Sequence, residues 1–216
     1  MQDDAILRIE DLQVQFHTED GVVHAVSGID VTVERGKILG IVGESGCGKS
    51  VTALSVMQLV PRPHGQIAGG SILFRGSQNG ELADPIEITD LDPLGAKMRA
   101  IRGNNIAMIF QEPMTSLNPV YTIGEQILEG LRIHTDMDHS ASREWALDML
   151  HRVGLPKPTH VFESYPHSLS GGMRQRAMIA MAFSCNPDLL LADEPTTALD
   201  VTTQAKILEI ISNLQA

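Results

Sequence analysis

The chain has 216 residues, 43% of them hydrophobic and 20% charged, which is ordinary globular usage and excludes intrinsic disorder. Sixteen Lys and Arg against 27 Asp and Glu leave a net charge of −11, which argues against a large basic face for nucleic acid. No apolar run approaches the roughly 20 residues that span a bilayer. The acidic start MQDDAILRIEDL is unlike a secretory signal, and two cysteines cannot form a disulfide framework, so a reducing cytosol is expected.

In chain order, Ile6 to Phe16 alternates apolar and polar residues and predicts a strand. Asp20-Gly21 signals a turn, and Val22 to Val33 predicts a returning antiparallel strand. Lys37 to Val42 (KILGIV) is nearly all apolar and predicts a strand buried on both faces. A glycine loop and a helix follow, and Pro61, Pro63 and Gly65 end the helix. Ser71 to Phe74 predicts a strand, and Gln78 to Asp92 a surface excursion. Ile106 to Phe110 predicts a second buried strand. Thr122 and Glu125 have capping-box spacing ahead of a helix, and Arg143 to Val153 and Gly171 to Ser184 continue the helical block. Asp188 to Ala192 predicts a further buried strand, and Thr202 to Leu214 a last helix. This order predicts an α/β fold with a parallel core, antiparallel strands at the N-terminus and an inserted helical block.

Gly43-Glu44-Ser45-Gly46-Cys47-Gly48-Lys49-Ser50 matches G-x-x-x-x-G-K-[ST], between a predicted strand and a helix. Such a loop curls its N–H groups around a β-phosphate, and the helix start adds its positive end. Lys49 then reaches the β- and γ-oxygens, and Ser50 offers a hydroxyl to Mg2+. The first turn, Lys49-Ser50-Val51-Thr52, holds no carboxylate, which leaves it open to an external anion. Asp193-Glu194 ends the apolar run Leu189 to Ala192. There the first carboxylate can hold Mg2+ through water, and the second can orient an attacking water. Ser170-Gly171-Gly172 opens another helix with an N-cap serine and exposed N–H groups. Met173 stands where Glu or Gln would close a capping box, so this is a second open anion site.

With LSGGM at Leu169 to Met173, the chain resembles the ATP-binding subunits of ABC transporters, Met173 replacing the usual Gln of the signature. The segments GESGCGKS, QEPMTSLNPVYTIGEQI, YPHSLSGGMRQR and ADEPTTALDVTTQ resemble the oligopeptide, dipeptide, nickel and glutathione importer branch. The resemblance covers nearly the whole chain. It implies a P-loop NTPase core of the ABC ATPase type over 1–111 and 186–216, with a helical subdomain at 112–185. It implies ATP and Mg2+ as ligands, Glu194, Gln111 and Lys49 as catalytic residues, and Ser50, Gln111 and Asp193 at the metal. Nucleotide contacts would come from Gly43 to Val51, from Ser170, Gly171 and Gly172, and from Asp200 of the D-loop. Phe16 is the candidate to stack on adenine. The implied partners are a second ATPase subunit packed head to tail, two membrane permease subunits and, indirectly, an extracytoplasmic solute-binding protein, on the cytoplasmic face of the inner membrane. The segment Glu112 to Val120 would dock on the permease.

None of the eight histidines stands where the family's switch histidine lies. The chain thus reads as truncated within its last helix, able to bind nucleotide but weakly active alone. No metal-ligand spacing is found, and no iron–sulfur cluster is expected. Cys47 is expected to be alkylation-sensitive and Cys185 to pack in the core. Alternatives are a soluble ABC ATPase without a membrane channel, an exporter fused to its own membrane domain, or a kinase or GTPase. The last would not need LSGGM.

Overall fold

The computed structural model describes residues 4–78, 81–111, 116–196 and 201–215. The chain divides into two compact units, residues 1–102 and 103–216.

In the first unit, β1 (Ala5–Thr18) and β2 (Gly21–Glu34) form a hairpin, turning between Thr18 and Gly21. The helix α1 (Lys49–Val56) follows, then β3 (Gly65–Phe74), the two-residue strands β4 (Ser77–Gln78), β5 (Glu81–Leu82) and β6 (Ile86–Glu87), and α2 (Ala96–Ile101). The main sheet is antiparallel, in the order β2-β1-β3-β6, and β4 pairs with β5. Both Ile9 and Leu12 are buried although they lie three apart. Strict alternation would put them on opposite faces. The register slips between them, and Asp11 adopts a left-handed φ of 46°, so a bulge returns Leu12 to the core. Leu12, Val14, Ile72, Phe74, Ile88 and Met98 are buried in this unit.

Two polar residues tie its loops. The Glu87 carboxylate accepts from the Ser71 hydroxyl, the Ile72 N–H at 2.8 Å, and the N–H and hydroxyl of Thr89. Burial pushes its pKa up, but these hydrogen bonds together outweigh burial and hold it below the ordinary glutamate value. Arg102 donates to the carbonyls of Met57 (2.7 Å), Pro93 (2.9 Å) and Gln58 (2.9 Å).

The Lys37 to Val42 expectation fails. The segment forms no strand, and Ile38 and Val42 are 71% and 97% exposed. A short apolar run specifies burial, but a strand also needs a ladder partner. The segment joins neither end of this unit's antiparallel sheet, β2-β1-β3-β6. The predicted excursion Gln78 to Asp92 is anchored at Ile88, which is fully buried and whose N–H bonds the Ile72 carbonyl at 2.8 Å.

In the second unit, β7 (Ile106–Ile109) pairs in parallel with β8 (Leu189–Ala192), Ile106 opposite Leu189 and Ile109 opposite Ala192. Between these strands in sequence lie α3 (Ile123–His134), α4 (His139–Arg152), α5 (Pro158–Phe162), a 3-10 turn (Pro166–Ser168) and α6 (Gly171–Phe183). The helix α7 (Val201–Gln215) follows β8. Thr122 and Glu125 form the expected capping box, with the Glu125 carboxylate 2.7 Å from the Thr122 N–H. The core gathers Ile109, Ile127, Leu150, Ala177, Ile179 and Ile207 with their neighbours. Gly124 lies hard against the Phe162 ring, where no side chain would fit. Among the described residues, no helix is long and apolar enough to cross a membrane.

Candidate functional site

The glycine loop runs from the exposed segment straight into α1. Gly48 is the N-cap, at φ 96°, and no side chain caps the helix. A Cβ at Gly48 would lie 2.5 Å from the Ala25 carbonyl oxygen, so both conformation and space require glycine. The Cys47 N–H closes a turn onto the Glu44 carbonyl at 3.3 Å, and the Cys47 thiol is exposed. The Lys49 ammonium folds back over the loop, donating to the carbonyls of Gly43 (2.8 Å) and Glu44 (2.9 Å). Ser50 and Val51 lie in the first turn of α1, which holds no acidic residue. Phe16 is half-buried with its ring over Gly65, where a Cβ would meet Phe16 Cε1 at 2.7 Å.

In the second unit, Gln111 and Asp193-Glu194 lie just past the C-terminal ends of the paired strands β7 and β8. That is the end at which parallel α/β sheets bind ligands. Gln111 Nε2 donates to Glu194 Oε2 at 2.8 Å. With the amide nitrogen so engaged, the acceptor that Gln111 has for a cation is its carbonyl oxygen. The Asp193 N–H bonds the Ile109 carbonyl at 2.9 Å, extending the ladder to the carboxylates. Glu194 has a left-handed φ of 46°, a conformation that costs a non-glycine residue about 1–2 kcal/mol and is found disproportionately at working sites.

Ser170 is the N-cap of α6, and its side chain accepts from the Met173 N–H at 3.4 Å. A hydroxyl that accepts in this way still has its own proton to donate. Gly171 and Gly172 occupy the first turn, which again holds no acidic residue. Asp200 and the segment 112–115 lie outside the described residues. The rest of the candidate docking segment is braced by Gln126. Its side chain accepts from the Asn118 N–H (2.9 Å) and donates to the carbonyls of Asn118 (3.1 Å), Tyr121 (3.1 Å) and Thr122 (3.3 Å). Val120 and Tyr121 are exposed on this braced loop. Cys185 packs against the core, where burial pushes its thiol pKa up.

Sequence reasoning passed over Gln126 and Arg174, the latter holding the turn that precedes Ser170. Their acceptors are mostly main-chain carbonyls, which leave no mark in a side-chain motif.

The profile of the family described as ABC transporter matches residues 26–197. The chain belongs to the ABC transporter family. It is 50% identical over 212 residues to a peptide ABC transporter ATP-binding protein of Sinorhizobium fredii, covering 98% of this chain and 60% of that one. It is 52% identical over 211 residues to a peptide import ATP-binding protein of Brucella abortus, with 98% and 61% covered. It is 51% identical over 213 residues to the glutathione import ATP-binding protein GsiA of Pectobacterium atrosepticum, covering 97% of this chain and 33% of that one. The chain thus spans about three fifths of the peptide relatives' length and a third of GsiA. Among solved structures, the ATP-binding cassette MJ0796, dimeric in a post-hydrolysis state with ADP and Pi, superposes with a TM-score of 0.80 at 26% identity. That match covers 97% of this chain and 82% of the cassette. The fold is therefore that of an ABC ATPase cassette, with mixed antiparallel and parallel strands.

Proposed function

We propose that this ABC cassette binds and hydrolyses ATP to drive import of peptides or related small solutes through a membrane permease. The observation that carries the reading is the Gln111–Glu194 pair, 83 positions apart in sequence and 2.8 Å apart at the strand ends. Names of the relatives support the import assignment. The proposed cassette has an α/β core of 1–111 and 186–216 and a helical subdomain at 112–185.

The residues present suit a magnesium ion. Hydroxyl, carboxylate and amide oxygens, from Ser50, Asp193 and Gln111, are the hard donors it prefers. Among the described residues, no group of three or more His, Cys, Asp or Glu side chains could hold a metal. When bound, the magnesium ion neutralises charge on the phosphates.

In this reading Lys49 exchanges its two loop carbonyls for β- and γ-phosphate oxygens, and the N–H groups of Gly46 to Ser50 surround the β-phosphate. Glu194 orients the attacking water, and Gln111 positions the Glu194 carboxylate. Ser170 and Gly172 of a second copy or homologous subunit close on the γ-phosphate from the opposite side. Asp200 contributes at the subunit junction, and Phe16 stacks on adenine. Closure draws two permease subunits together through the loop at 112–120, peripheral to the cytoplasmic face of the inner membrane. A solute-binding protein delivers the cargo.

Glu194→Gln tests the assignment. It keeps the size of the side chain but removes the base, a contribution typically worth about 10²–10⁴-fold in rate. ATP binding, followed with a fluorescent analogue, should persist while phosphate release falls by that factor. Equal turnover in variant and parent refutes the role.

A further inference from the structure

The 3-10 turn Pro166–Ser168 delivers the chain to Ser170, and it is held by one side chain from the helix it precedes. Arg174 Nε donates to the Pro166 carbonyl at 2.7 Å, and a terminal nitrogen donates to the His167 carbonyl at 3.4 Å. The same turn is closed locally by Ser168, whose N–H and hydroxyl both bond the Tyr165 carbonyl, at 3.0 and 2.7 Å. The Tyr165 and His167 rings stack at 5.6 Å and 12°. Arg174 is itself fixed at the main chain, its N–H bonding the Ser170 carbonyl at 2.9 Å. The guanidinium therefore spans from the first helical turn back to two consecutive carbonyls ahead of the N-cap.

We infer that Arg174 is a positioning residue for the Ser170-Gly171-Gly172 helix start, acting through its planar fork and not through its charge. The inference rests on the proposed ATP-binding role of that start. Ser170 uses its side chain on the Met173 N–H, and residues 165–169 set the direction from which the chain enters this N-cap. Two donors in one rigid plane can hold two successive carbonyls at once. A lysine ammonium at the same place is a point charge on a flexible stem and cannot reproduce the fork. The ligand recognised is the terminal phosphate of a nucleoside triphosphate held by a second copy, which needs the serine hydroxyl and the two glycine N–H groups in register.

The test uses the full chain carrying Glu194→Gln, alone and with Arg174→Lys or Arg174→Ala. Nucleotide binding to the monomer is followed with a fluorescent ATP analogue, and Mg-ATP-driven dimerisation by sedimentation. Amide exchange at residues 168–173 is read without nucleotide. With the fork lost, the ATP concentration for half-dimerisation rises about tenfold or more, the scale of one lost charge-assisted hydrogen bond. Monomer binding stays within about twofold, far less than the tenfold that one such bond is worth, and the Met173 amide, bonded to the Ser170 side chain, exchanges faster. Arg174→Lys behaves like Arg174→Ala. Full dimerisation by Arg174→Lys overturns the inference, because charge alone then suffices. Parallel losses of monomer binding and dimerisation overturn it too, since they indicate general unfolding. If the Glu194→Gln parent binds ATP but stays monomeric, the two-copy site itself is refuted, and the inference falls with it.

Discussion

Arg102 offers a direct test of how α1 is held. The last carbonyls of any helix lack intrahelical partners. Just past α1, the carbonyls of its C-cap Met57 and of Gln58 are taken by the Arg102 guanidinium, which also reaches Pro93. Burial lowers the Arg102 pKa, but a guanidinium stays charged at any relevant pH. A net value of about 1 kcal/mol per hydrogen bond puts the three together at about 3 kcal/mol, conservative for bonds from a charged donor. Arg102→Ala should therefore lose about 3 kcal/mol. Arg102→Lys should lose about 2 kcal/mol, because an ammonium replaces at most one bond of the fork. At a urea m-value of about 2 kcal/mol/M, the alanine variant's midpoint falls by about 1.5 M. The assay is urea denaturation followed by far-ultraviolet circular dichroism. An Arg102→Ala midpoint within about 0.25 M of the parent, equivalent to roughly 0.5 kcal/mol, would refute the claim that this fork holds the helix end.

Two further expectations concern stability. The Glu87 pKa is depressed in the fold, so its contribution is present above the unfolded pKa and lost as pH falls through the folded one. Glu87→Gln should be less stable than the parent near neutrality, with the gap narrowing on acidification. Thermal melts across that range check it, and a gap constant with pH contradicts it. Gln175 is 2% exposed, and among the described residues its amide nitrogen has no hydrogen-bond partner. Gln175→Met keeps the shape and removes the orphan donor, so it should stabilise the fold by about 1–2 kcal/mol in the same urea assay.

The sheet hairpin and most helices were legible because their signals are local. Alternation from Ile6 to Phe16 and from Val22 to Val33 marks β1 and β2, and Thr122 with Glu125 marks the start of α3. The helices α2 and α5 escaped notice because they have six and five residues and no side-chain caps. The start of α4 at His139 precedes the expected Arg143, and its N-cap is Asp138, whose carboxylate takes the Ala141 N–H at 2.8 Å. KILGIV was misread because hydrophobicity states what a segment avoids and not what it pairs with. The loop Gly43 to Ser50 was readable from its glycine spacing and its lysine, since glycine is required where a Cβ would strike Ala25. The approach of Gln111 to Glu194 was not, because it depends on the parallel pairing of strands remote in sequence.

The resting arrangement of Lys49 has a bearing on what the loop can select. Its ammonium already touches two neutral oxygens at 2.8 and 2.9 Å. An incoming molecule must better those contacts before the side chain swings away. Uncharged mimics bring only dipoles like those being surrendered, whereas an anionic oxygen brings a full negative charge. In the proposed phosphate-binding role, the lysine would thus set an electrostatic threshold, tuned to how much charge a visitor carries more than to its outline.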